Sequence, residues 1–85
     1  MVTPRKLYRS GEITHFTGIS RQTLHIYNQI GLIQETEVTN SGQKLYDESV
    51  FGLLEKIKGL QRQKMTLMQI KRKLKQDSQL QFQFL

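Results

Sequence analysis

Cysteine is absent from the 85 residues, which excludes disulfide bracing, thiolate catalysis, iron–sulfur clusters and cysteine-ligated zinc. The core must hold by packing alone. Long apolar runs are missing too: nothing approaches the ~18 uninterrupted apolar residues of a membrane span, and the N-terminus lacks the apolar stretch of a secretory signal. A cytoplasmic, nucleoid-associated protein is expected. Proline occurs once and acidic residues seven times, against thirteen Lys and Arg, for a formal charge of +6. A polyanionic partner follows, although charge alone does not separate nucleic acid from an anionic membrane surface. There is no nucleophile–base–orienter set, no phosphate-binding glycine loop and no metal-ligand cluster, so an enzyme, a cofactor and a bound metal are not expected. Glu12 and His15, three apart, match the pairs common on exposed helix faces.

At this length one small domain is possible, with a thin stability margin. Residues 1–7 read as a flexible arm, 8–76 as the domain and 77–85 as a tail. Ser10 is a candidate N-cap for a short helix with Ile13 and Phe16 on its apolar face, and Gly18 interrupts it. Ser20 is a second candidate N-cap, ahead of Leu24, Tyr27 and Ile30 at three-residue spacing, with Gly31 as the stop. Two short helices about the Thr17-Gly18-Ile19-Ser20 turn are the ingredients of a helix-turn-helix. Leu32-Ile33 and Glu35 to Val38 have strand character, Asn40-Ser41-Gly42 reads as a tight turn, and Lys44-Leu45-Tyr46 as a returning strand. The fold class predicted is mainly α, a winged helix-turn-helix of about four helices with a small two-stranded β-hairpin wing.

Asp47 is placed to cap a third helix with Val50, Leu53, Leu54, Ile57 and Leu60 on its core face. After a break at Lys64-Met65, Thr66 and Gln69 fit a capping box opening a fourth helix with Leu67, Ile70 and Leu74. Eight basic residues and no acidic one lie between Lys56 and Gln76. Such a run is commonly a solvated face; an amphipathic basic helix can also lie on anionic lipid, but here the core claims its apolar positions. In the tail, Leu80, Phe82 and Phe84 alternate as in a strand, with a frayed end as the other reading.

Gly11-Glu12-Ile13, Thr17 through Leu24, Tyr27, Ile30-Gly31-Leu32, Ser41-Gly42, Leu45 through Glu48 and Thr66-Leu67 through Ile70 follow one another in an order that resembles the MerR (mercury-resistance regulator) family of bacterial DNA-binding domains, over roughly Tyr8 to Leu74. The resemblance implies a sequence-specific transcription regulator whose second helix enters the major groove of double-stranded DNA while the wing contacts the backbone. On that reading Arg21 and Gln22, after Ser20, are candidates for base-edge contacts, and Thr23 and Tyr27 for phosphates. Lys44 stands at the wing's usual arginine, where a cation meets phosphate or the minor groove, and Tyr46 follows it.

Four positions depart from the family pattern: His25 and Lys44 stand where arginine is usual, Ile26 and Gln43 where tyrosine is usual. Lysine loses the bidentate fork of arginine, and neutral His25 loses a charge, so the C-terminal lysines are expected to carry more of the attraction. His25 itself is either a DNA-facing donor or a surface residue without a role. A homodimer and an RNA polymerase contact enter only through the resemblance. Family members usually continue into a long dimerisation helix and an effector-binding segment, and neither is present in these residues. The expectation is a shortened domain, or a stand-alone one that pairs by another route or binds alone. The alternative function is a small architectural or excisionase-like accessory factor, marked by DNA bending and cooperative arrays.

Overall fold

A computed structural model describes residues 6–83, with side chains described through residue 76. Its elements are β1 (Leu7–Arg9), α1 (Ser10–Thr17), α2 (Arg21–Gln29), β2 (Glu37–Val38), β3 (Lys44–Asp47), α3 (Ser49–Arg62) and α4 (Leu67–Gln83). The chain divides into two units, Met1–Leu54 and Glu55–Leu85, with the division inside α3.

In the first unit α1 packs on α2 and on the sheet. The sheet is antiparallel with order β1-β3-β2; Leu7, Tyr8 and Arg9 lie opposite Asp47, Tyr46 and Leu45, and Glu37 and Val38 opposite Leu45 and Lys44. Ile13, Leu24, Tyr27, Leu32, Ile33, Tyr46, Val50 and Leu54 form its buried core. In the second unit Ile57, Leu60 and Ile70 are buried. The break between α3 and α4 is a left-handed Lys64 (φ 64°), after which the Met65 N–H returns to the Leu60 carbonyl at 3.3 Å. The capping box at the start of α4 is complete: Thr66 N–H donates to Gln69 Oε1 (2.9 Å) and Gln69 N–H to Thr66 Oγ1 (3.2 Å). Asp47 caps α3 through its carboxylate, which accepts the Ser49 N–H at 2.9 Å.

The mainly α winged helix-turn-helix stands, and several local expectations change. Leu7, read as the end of the arm, opens a third strand, because β3 offers its second edge to the residues just before α1; residues 1–5 of the arm lie outside the described residues. The N-cap of α1 is Arg9 and not Ser10, and the Arg9 N–H is satisfied by Glu12 Oε1 at 3.1 Å. Leu32 and Ile33 are not strand residues: both N–H groups donate to the Tyr27 carbonyl, closing the end of α2 while their side chains enter the core. Phe16 is 65 % exposed, and Leu53 is only half-buried. Outside the core, Phe16 meets Tyr8 of β1 and Phe51 of α3 edge-on. The tail is neither strand nor frayed as far as Gln83, since α4 continues to that residue with no glycine or proline to stop it; Phe84 and Leu85 lie outside the described residues.

Candidate nucleic-acid interface

The interface begins with the turn between α1 and α2. Gly18 takes φ 75°, ψ 0°, a left-handed conformation that costs other L-residues roughly 1–2 kcal/mol. Its N–H returns to the Thr14 carbonyl at 2.9 Å, while the Thr17 hydroxyl bonds the Ile13 carbonyl and accepts the Ile19 N–H. The chain therefore reverses over four residues with the Gly18 and Ile19 N–H groups both paired. Ser20 then caps α2: its hydroxyl accepts the Thr23 N–H at 3.1 Å and donates to Thr23 Oγ1 at 2.9 Å.

Leu24 and Tyr27 bury one side of α2, and Arg21, Gln22, His25, Ile26 and Gln29 stand exposed on the other. No carboxylate occurs between Glu12 and Glu35, so this outer face carries no negative charge. Arg21 lies over the first turn of α1. A Cβ added at Gly11 would stand 3.0 Å from a guanidinium nitrogen, so the bare Gly11 leaves room for the side chain to fold back.

The wing tip is built on Thr39 and Gly42. Thr39 N–H donates to the Gln43 carbonyl (2.8 Å), Gly42 N–H to the Thr39 carbonyl (2.9 Å), and Gln43 N–H to Thr39 Oγ1 (3.0 Å). Gly42, at φ 87°, permits the reversal. At the wing's base the side chains turn inward. Lys44 is half-buried and its ammonium donates to Asn28 Oδ1 on α2. Tyr46 is 2 % exposed; burial pushes its phenol above the ordinary tyrosine range, Glu35 adds to this, and a hydrogen bond with the Asn28 side chain opposes it. Asn28 Nδ2 also donates to Glu35 Oε1 at a long 3.5 Å.

Of the residues named from the sequence, Ser20, Arg21, Gln22, His25 and Ile26 are thus brought together on one exposed surface, with Thr23 half-buried beside them. Tyr27 and Tyr46 are buried, and Lys44 is turned to α2. Asn28 and Glu35, which join α2 to the wing, were not among the candidates, and neither was Gly11. An asparagine late in a helix gives no signal by itself; only its pairing with a strand sixteen residues away reveals it.

The sequence pattern of the MerR helix-turn-helix regulatory proteins matches residues 8–77. The chain belongs to the MerR family. Nodulation protein NolA of Bradyrhizobium diazoefficiens is 34% identical over 71 residues, covering 82% of this chain and 30% of NolA. NolA of Bradyrhizobium elkanii is 32% identical over the same length and is spanned to 32%. The mercuric resistance operon regulatory protein of Bacillus cereus is 33% identical over 63 residues, covering 74% of this chain and 48% of that protein. This MerR-family chain therefore spans from 30% to 48% of the length of these relatives. Among its described residues no helix is long and apolar enough to cross a membrane.

Proposed function

We propose that residues 8–76 are the DNA-binding domain of a bacterial MerR-type transcription regulator, which reads a specific duplex sequence by placing α2 in the major groove. The observation that carries this reading is the carboxylate-free outer face of α2, with Ser20, Arg21 and Gln22 at its start and a hairpin wing following it. Recognition helices present their first residues to base edges, where an arginine fork pairs with guanine and a glutamine amide with adenine. His25 offers a ring N–H, and Ile26 an apolar surface for a thymine methyl group. Thr23 accepts from Ser20, which leaves its own hydroxyl proton for a phosphate oxygen. Tyr27 and Tyr46 support this surface from beneath, and the wing tip beyond Lys44 meets the backbone beside it.

The test is retention from a random-sequence duplex pool, with sequencing and a salt titration. A regulator enriches a defined sequence, and light scattering on that duplex counts the protomers and decides for or against a homodimer. Steeply salt-dependent retention with no enriched sequence would overturn the reading in favour of an architectural factor.

A further inference from the structure

We infer that Asn28 is a positioning residue that fixes the wing against the recognition helix, and that Lys44 acts on DNA through this tether and not as a phosphate clamp. The inference rests on the reading of α2 as the recognition helix. An asparagine side chain has one carbonyl acceptor and two N–H donors. Here the acceptor takes the Lys44 ammonium, and the amide reaches Glu35 and Tyr46. Lys44 and Tyr46 stand two apart in β3, so they share one face of the strand, and a single carboxamide from α2 spans both. Glu35, in the connection between α2 and β2, brings the opposite charge to the same point.

The wing needs such a brace. β2 is two residues long, with Glu37 opposite Leu45 and Val38 opposite Lys44, and at its base the Thr36 N–H donates to the Leu45 carbonyl (2.7 Å) while Thr36 Oγ1 accepts the Asp47 N–H (3.0 Å). So short a hairpin is marginal by itself. Lys44 is the last paired residue before the Thr39–Gln43 tip, so a bond from its side chain to α2 sets the angle at which the tip leaves the domain. An ammonium committed to Asn28, at a half-buried position, is also withdrawn from the place a backbone clamp would occupy.

The two roles of Lys44 separate in a double-mutant cycle on the full chain, with Asn28→Ala, Lys44→Met and the pair. The probe is the duplex most enriched from the random pool, titrated against salt, with Arg21→Ala as reference. The expected result is a loss of about tenfold in affinity for either single variant, because one hydrogen bond to a charged group is removed, and no comparable further loss in the pair. The salt slope stays unchanged in all three. In the free Asn28→Ala protein, backbone amide order parameters fall for residues 39–43 while those of α1 and α2 keep their values. Additive losses, with the slope falling by about 0.9 on Lys44→Met alone, would overturn the inference and make Lys44 a clamp. Asn28→Ala binding as the unaltered chain does would overturn it as well. Should Asn28→Ala fail to fold, Lys44→Met still gives the slope. Failure of the recognition-helix reading looks different: no sequence is enriched and Arg21→Ala changes nothing, yet the order parameters still report whether Asn28 holds the wing.

Discussion

The outer face of α2 and the exposed face of α4 are both positive, and they differ in how the charge is held. On α2 one guanidinium, Arg21, stands among Gln22, His25, Ile26 and Gln29, above a buried Leu24 and Tyr27 and behind a paired Ser20 cap. On α4, Lys71, Arg72 and Lys75 line one shallow depression with Met68, which is 59 % exposed. Selective recognition needs a few donors in fixed directions, whereas attraction to a polyanion needs charge without fixed direction. The lesson is that the densest charge in the chain and the capped, carboxylate-free helix face lie on different helices.

The largest expected effect comes from removing the seat of α2. Leu24 is 2 % exposed, and Leu24→Ala should cost about 2–5 kcal/mol in chemical denaturation, and selective DNA retention with it. Lys75→Ala on the exposed face of α4 should stay within about 0.5 kcal/mol of the unaltered chain. Equal losses from the two would erase the distinction between a seated and a solvated face.

Next in size is the division of labour itself. Arg21→Ala should cost about 1–3 kcal/mol of preference at particular base pairs. Replacing Lys71, Arg72 and Lys75 together by alanine should weaken every sequence alike and lower the salt slope by up to about 0.9 for each phosphate left without its cation. Sequencing of retained duplexes and salt titrations measure both. A changed base preference in the triple variant would move sequence reading to α4.

Much of this was legible in the sequence, because the signals are local. Ser20 ahead of Leu24 and Tyr27 marks α2, Asn40-Ser41-Gly42 marks the wing turn, and Thr66 with Gln69 marks the start of α4. What was not legible depends on distant partners. β1 exists only because Leu7 to Arg9 find Asp47 to Leu45 some forty residues on, and three residues carry no period of their own. Phe16 has the spacing of a core residue yet is exposed, and the rings it meets, Tyr8 and Phe51, come from distant segments. The hydrogen bond from the Lys44 ammonium to Asn28 likewise joins residues sixteen apart and leaves no local signal. Alternating Leu80 and Phe82 suggests a strand, but helix propagation from Thr66 meets no breaker and overrides it.

A smaller effect tests how α2 and the wing are joined. Tyr46 has its phenol raised above the usual value near 10, chiefly by burial. The folded state therefore holds this proton more tightly than the unfolded chain does. That contribution is fully present below pH ~10 and is lost as pH rises through the raised value, when a phenolate would have to remain buried beside Glu35. Alkaline unfolding followed by circular dichroism should show stability declining above pH ~10, with a shallower decline in Tyr46→Phe. An identical decline in both would mean that other groups govern the alkaline limb.

The smallest effect is also the most discriminating, since stability and recognition should move in opposite directions. Gly11 lies in the first turn of α1, where alanine is the better helix former by about 0.5–1 kcal/mol. Its added Cβ would meet the Arg21 guanidinium at 3.0 Å, and that group is the far end of a flexible side chain, so it yields at little cost. Gly11→Ala should therefore raise the thermal midpoint slightly while blurring base preference at the pair proposed for Arg21, by less than Arg21→Ala does. The phosphate-dependent salt slope should not change, because no charge is gained or removed. If the midpoint rises and the preference stays sharp, Arg21 reads its base without resting on Gly11. The fixed direction assigned to α2 would then come from the Ser20 cap and the helix alone.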